Sequence, residues 1–169
     1  MTAEIRRLTS DLLDDFLTFF DGEAFADNPA WASCYCMFYE CPCPDDEWAR
    51  RSAQQNRADK AERIKSSDSH GYLAYVEGRP VAWCNAAPRP MLPRIDTSEG
   101  LTSEDDPDGI GAIVCFVVAA AHRKQGVATR FDRCRVRRSA HGGDDGGGSI
   151  SRKESHLGRR RLSRTAGDV

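Results

Sequence analysis

The stretch Arg123-Lys124-Gln125-Gly126-Val127-Ala128-Thr129 combines residue types suited to holding an anion. A glycine that opens a helix leaves backbone N–H groups unpaired at the positive end of the helix dipole, where phosphate is stabilised. Gly126 lets the main chain approach a ligand with no Cβ in the way. Ala128 keeps the helix wall low, and Arg123 and Lys124 add positive charge. An ordinary strand-to-helix turn with a solvated basic patch has the same pattern, because short glycine turns are common. His122 beside Arg123 could touch phosphate or simply be exposed.

A second group is sulfur. Cys34, Cys36, Cys41 and Cys43 place four thiols within ten residues, enough in number for a tetrahedral Zn2+ and a zinc-stabilised interaction module. Ribbon and finger sites favour Cys-x2-Cys pairs, however, and the intervening Met37-Phe38-Tyr39 reads as core. Free thiols, buried or partly exposed, are the competing expectation. Seven cysteines with no secretion signal predict reduced thiols rather than a disulfide framework. Asp105-Asp106-Pro107-Asp108-Gly109 resembles part of a calcium loop but lacks its alternating spacing and terminal Glu, so it reads as solvated.

The elements that must position these groups follow from periodicity. Ala3–Leu8 predicts a short edge strand. Ser10 offers an N-cap to a helix whose Leu12, Leu13, Phe16, Leu17, Phe19 and Phe20 repeat at helical spacing. Asp27-Asn28-Pro29 is turn-like. Asp45 or Asp46 caps a second helix predicted to run to about Lys65. Tyr72–Val76 and Val81–Ala86 flank a Glu77-Gly78-Arg79 turn, a hairpin signal. Ile110–Ala119 is continuously apolar and β-branched, which predicts a strand buried on both faces. It runs directly into the glycine turn and a helix from about Lys124.

With that order, β-α-α-β-β-β-α, the chain resembles the GCN5-related N-acetyltransferase (GNAT) superfamily. "CFVVAAAHRKQGVATRF" is similar to that superfamily's central acetyl-CoA motif, with Arg123, Gly126 and Ala128 on its three signature positions. The resemblance covers roughly residues 3–132. It implies an α/β fold, a mixed and mostly antiparallel sheet with helices on both faces, and acetyl-CoA as cosubstrate. It also implies that Val117 and Val118 serve the pantetheine arm, and that Lys124, Gln125, Gly126, Val127, Ala128 and Thr129, beside Arg123, serve the phosphates. The acceptor would be an amine, of a small molecule or a protein, attacking the thioester carbonyl. The segment between the first two helices would then lie near the acceptor entrance.

Such a reaction needs a base and an acid to protonate the leaving thiolate, and the sequence names neither. Cys115 and Glu77 lie near the relevant strands, but strand cysteines are more often core and turn glutamates more often solvated. The acid in related enzymes is often a tyrosine in a region that here follows residue 132, where no tyrosine occurs. An acyl-CoA binder without turnover is therefore an alternative expectation.

Charge and composition divide the chain at the same place. Residues 1–132 carry 14 Lys+Arg against 22 Asp+Glu, and residues 133–169 carry 10 against 4. The latter segment holds 7 of the 14 glycines, no Phe, Trp or Tyr and only 8 hydrophobic residues, too little to offset the entropy of ordering it. The expectation is a partial acetyltransferase domain over 1–132, with reduced activity, followed by a disordered tail or the product of a reading-frame shift. Read one nucleotide forward, codons 146–153 can encode Val-Glu-Ala-x-Tyr-Pro-x-Lys, a strand-like string. Tail arginines such as Arg159, Arg160 and Arg161 lack interleaved aromatic side chains, which argues against specific nucleic-acid binding. The apolar run Ile110–Ala121 is shorter than the about 20 residues a membrane span needs, and no signal peptide precedes it, so a cytoplasmic location is expected. The acidic stretch Asp96–Asp108 would suit a basic acceptor, or be a solvated loop.

Overall fold

The computed structural model describes residues 3–95 and 111–131. The expectations for the acidic stretch, the calcium-like loop and the whole of 133–169 lie outside these residues. Four strands, β1 (Glu4–Arg7), β2 (Tyr72–Val76), β3 (Arg79–Pro88) and β4 (Gly111–Val118), form one sheet in the order β1-β2-β3-β4. Every pairing is antiparallel; the mixed character expected of the sheet is not found among the described residues. The helices are α1 (Leu13–Asp21), α2 (Asp45–Trp48), α3 (Ala53–Lys65) and α4 (Val127–Arg130).

The hairpin closes with Val76 opposite Arg79, so Glu77 and Gly78 alone make the turn. Both have positive φ, 51° and 76°, the geometry that matches the right-handed strand twist in a two-residue turn. One face of the sheet is sealed by α1 and α3: Phe16, Phe19, Phe20 and Ile64 pack on Leu73, Trp83 and Val117. Trp83 is completely buried, edge-on to Phe16 at 5.0 Å between ring centres. The opposite face is smaller. There Ala74, Ala82 and Cys84 meet Val127 and Phe131 from the α4 end. Helices therefore lie on both faces, as expected.

Three local expectations are corrected. The long helix from Asp45 to Lys65 is two helices: α2 ends at Trp48, and Ser52, in extended conformation, caps the start of α3. Its hydroxyl accepts from the Gln55 N–H at 3.2 Å while the Gln55 side chain accepts from the Ser52 N–H at 2.8 Å, a capping box that satisfies two orphan donors. Ser10 does not cap α1; it begins a 3-10 turn, Ser10–Leu12, which leads into the helix. Finally, β4 is not buried on both faces. It is last in the sheet order among the described residues, only Gly111 and Val117 within it are buried, and Phe116 is 43% exposed.

A bulge shapes β4. Cys115 pairs with Asn85 and Ile113 with Ala86, leaving Val114 as an extra residue. The bulge changes the alternation of side chains. Ile113 and Val118, five apart, share the α4 face, while Cys115 and Val117 point to the α1 face.

Candidate functional site

The turn after β4 begins where Ala119 N–H donates to the Val81 carbonyl at 2.9 Å. A 3-10 turn, Ala120–His122, follows. Lys124 and Gly126 then both take the left-handed conformation, φ 60° and 77°, reversing the chain into α4. A Cβ built on Gly126 would meet no atom within 4 Å, so this backbone faces open space. Gln125 braces the turn by donating its amide to the Ala121 carbonyl at 2.8 Å.

Arg123 spans outward from the turn. Its Nε donates to the Val118 carbonyl at 2.9 Å, and its terminal nitrogen donates to Asp27 at 2.9 Å. The guanidinium holds the Asp27 carboxyl below the usual carboxylate range. Between these two chain segments lies a cleft of about 560 Å³. Of the nine residues singled out in the sequence, Val117, Val118, Arg123, Lys124, Gly126, Val127, Ala128 and Thr129 line it, and Gln125 does not. Glu77, on the exposed hairpin turn, and Cys115, facing the α1 side, are not on its lining.

The opposite wall was not anticipated as such. It consists of Phe25, Asp27, Asn28 and Trp31 from the chain that follows α1. Trp31 (52% exposed) and Phe116 on the facing wall are the exposed large hydrophobic side chains among the described residues, and both line the cleft. The sequence offered only the turn signal at Asp27-Asn28-Pro29 and an isolated tryptophan. His122 is half-buried rather than exposed, and its Nδ1 is buried without a hydrogen-bond partner.

The cysteines do not converge on one metal. Cys41 and Cys43 are joined as a disulfide, which removes two of the four proposed zinc ligands and corrects the expectation of uniformly reduced thiols. Cys36 turns to β4, where its Sγ lies 2.9 Å from Cys115 Sγ. Among the described residues no group of three or more His, Cys, Asp or Glu could hold a metal ion.

Beneath this pair the sheet carries a buried polar cluster that sequence reading missed. Glu40 accepts from Lys60 Nζ at 2.7 Å, Asn85 Nδ2 at 2.9 Å and Arg63 Nε at 3.3 Å. Glu40, Lys60 and Asn85 are at most 2% exposed. Nothing in the spacing of a loop Glu, a helix Lys and a strand Asn marks them as neighbours.

The sequence model of the acetyltransferase (GNAT) family matches residues 30–131, and the chain belongs to that family. No curated protein matches the chain. Among solved structures, it is similar to a ribosomal-protein-alanine N-acetyltransferase from Brucella melitensis biovar Abortus 2308, at 14% identity and a TM-score of 0.41, covering 76% of this chain and 65% of that one. It is also similar to an N-acetyltransferase from Staphylococcus aureus Mu50 (12% identity, TM-score 0.39, 77% and 61% covered). A third is a GCN5-related N-acetyltransferase from Ralstonia eutropha JMP134 (19%, 0.38, 76% and 70%). The chain thus spans less than two thirds of the length of the first two. Among the described residues no helix is long and apolar enough to cross a membrane.

Proposed function

We propose that the cleft binds acetyl-CoA and that the protein transfers its acetyl group to an amine. The observation that supports this is the meeting of eight turn and strand residues on one cleft, beside a β4 edge that pairs with no further strand among the described residues.

The cleft suits the cosubstrate. Open space over Gly126 admits a pyrophosphate close to the backbone. Lys124 is exposed and forms no ion pair among the described residues, leaving a point charge for phosphate. The β4 edge, unpaired among the described residues and bulged at Val114, offers main-chain groups to the amides of the pantetheine arm. Arg123 is committed to Val118 and Asp27, so its role is to hold the two walls together. Acetyl-CoA would supply a thioester carbonyl activated toward an amine, and the chain's part is to position it and exclude water.

A second reading has its own support. Among the described residues Asp27 is the one carboxylate on the cleft lining, and Arg123 already holds it, so those residues present no free carboxylate base. A protein that binds acyl-CoA without turning it over fits that arrangement.

Titration calorimetry with acetyl-CoA on the full chain, followed by mass-spectrometric detection of acetylated polyamines and lysine-rich peptides, tests both readings. Binding with turnover supports transfer, and binding alone supports the second reading. A folded chain that binds no acetyl-CoA overturns both. Lys124→Ala should weaken binding and flatten its salt dependence.

A further inference from the structure

Cys36 and Cys115 are 79 residues apart, and their sulfurs lie 2.9 Å from each other. A disulfide bond is about 2.05 Å long, so less than about 1 Å of closure separates the pair from covalent contact. We propose that Cys36 and Cys115 form a reversible disulfide, made by hydroperoxide-class oxidants, that staples the segment after α1 to β4.

The surroundings make the two sulfurs unequal. The Cys36 thiol donates toward Cys115, and that bond, helped by the Lys60 ammonium, holds the Cys115 thiol below its usual range against burial and the Glu40 carboxylate. Bonding to Cys115 together with burial pushes Cys36 well above it. Cys115 is half-buried and Cys36 buried. Cys115 is therefore the sulfur with some access to a small oxidant, and Cys36, in contact with it, is placed as the resolving thiol.

The step balances with hydrogen peroxide as the two-electron oxidant. The Cys115 thiolate attacks one peroxide oxygen, the O–O bond breaks, and hydroxide leaves, giving a sulfenic acid. The Cys36 thiol passes its proton to that hydroxide, and its sulfur attacks Cys115 Sγ, displacing the sulfenic hydroxide. With the proton that originally left Cys115, that hydroxide becomes a second water. Two thiols and one peroxide yield one disulfide and two waters, and a dithiol reductant reverses it.

The staple would join the two walls of the cleft. Cys36 follows the 3-10 turn Pro29–Cys34 that carries Trp31, and Cys115 immediately precedes Phe116. Tyr35 and Cys36 both hold positive φ, 46° and 53°, so the chain is already turned to present the Cys36 side chain to the sheet. The inference does not rest on acetyl-CoA binding. It stands on the sulfur pair and Lys60.

The test is treatment of the full chain with stoichiometric hydrogen peroxide, alkylation of remaining thiols, and non-reducing peptide mapping. The expected result is a loss of two hydrogens and a Cys36–Cys115 linked peptide, reversed by dithiothreitol. In Cys36→Ser, Cys115 should stop at a sulfenic acid that dimedone traps. In Cys115→Ser, Cys36 should remain alkylatable. The proposal is overturned if Cys36 and Cys115 stay alkylated at a dose that oxidises Cys34, or if Cys115 links to Cys34 instead. The wild-type map decides the matter if either variant fails to fold.

Discussion

Arg123 on the turn after β4 and Asp27 beyond α1, separated by 96 residues, are joined by a guanidinium–carboxylate pair at 2.9 Å. The pair bridges the two walls of the cleft. It is exposed, so its effect should be felt in the geometry of the cleft and little in global stability. Asp27→Asn is expected to leave the thermal midpoint nearly unchanged while weakening acetyl-CoA binding several-fold. Differential scanning calorimetry and binding titration on the same sample check it; a large fall in midpoint with unchanged affinity would contradict the brace.

Gly126 and Gly71 should respond to alanine in different ways. Gly126→Ala places a Cβ in open space and suffers only the left-handed backbone, about 1–2 kcal/mol, but its methyl enters the cleft and should impair acetyl-CoA binding. Gly71→Ala drives a Cβ into the Trp83 ring and the Cys84 carbonyl, overpacking that costs about 1–3 kcal/mol or more. Urea unfolding should rank Gly71→Ala as the less stable, and binding should rank Gly126→Ala as the weaker.

The Glu40–Lys60 pair is buried to within 2% on both sides. Glu40→Ala strands the Lys60 ammonium against the Phe16 and Trp83 rings and should destabilise by about 3–5 kcal/mol. The double change Glu40→Leu, Lys60→Met removes both charges and should recover a large part of that loss. A double variant no more stable than Glu40→Ala alone would show that the pair's charge is not what matters.

His70 gives a pH dependence of known sign. Burial is the main cause that lowers its imidazole below the ordinary value near 6.5, and Arg7 adds to it, while Glu40 and Asp68 oppose it. The unfolded chain therefore binds the proton first as pH falls. The contribution of neutral His70 is full above about pH 6.5 and is lost as pH drops through that value toward the folded one. Stability curves from pH 8 to 5 should decline in this window, and His70→Gln should flatten the decline. No difference between the two proteins there would refute it.

Much was legible in sequence because it is local. The hairpin at Glu77-Gly78, the greasy face of α1 and the glycine turn at Gly126 depend on periodicity and on residues that tolerate positive φ. Both are properties of short windows. The start of α3 is local as well, since Ser52-x-x-Gln55 is a capping-box pattern. The Val117 to Thr129 half of the cleft belongs to this class.

The other half does not. Asp27 and Trp31 become a wall only because α1 packs on β3 and turns the following chain toward the β4 turn. Cys36 meets Cys115 because Cys115 shares the α1 face of β4 with Val117, and the chain after α1 folds back over that face. Glu40, Lys60 and Asn85 find one another from a loop, a helix and a strand. The elements and the turn chemistry follow from interactions that act within a few residues. Which distant charges and sulfurs touch depends on the summed packing of the sheet and its helices, which no local window contains.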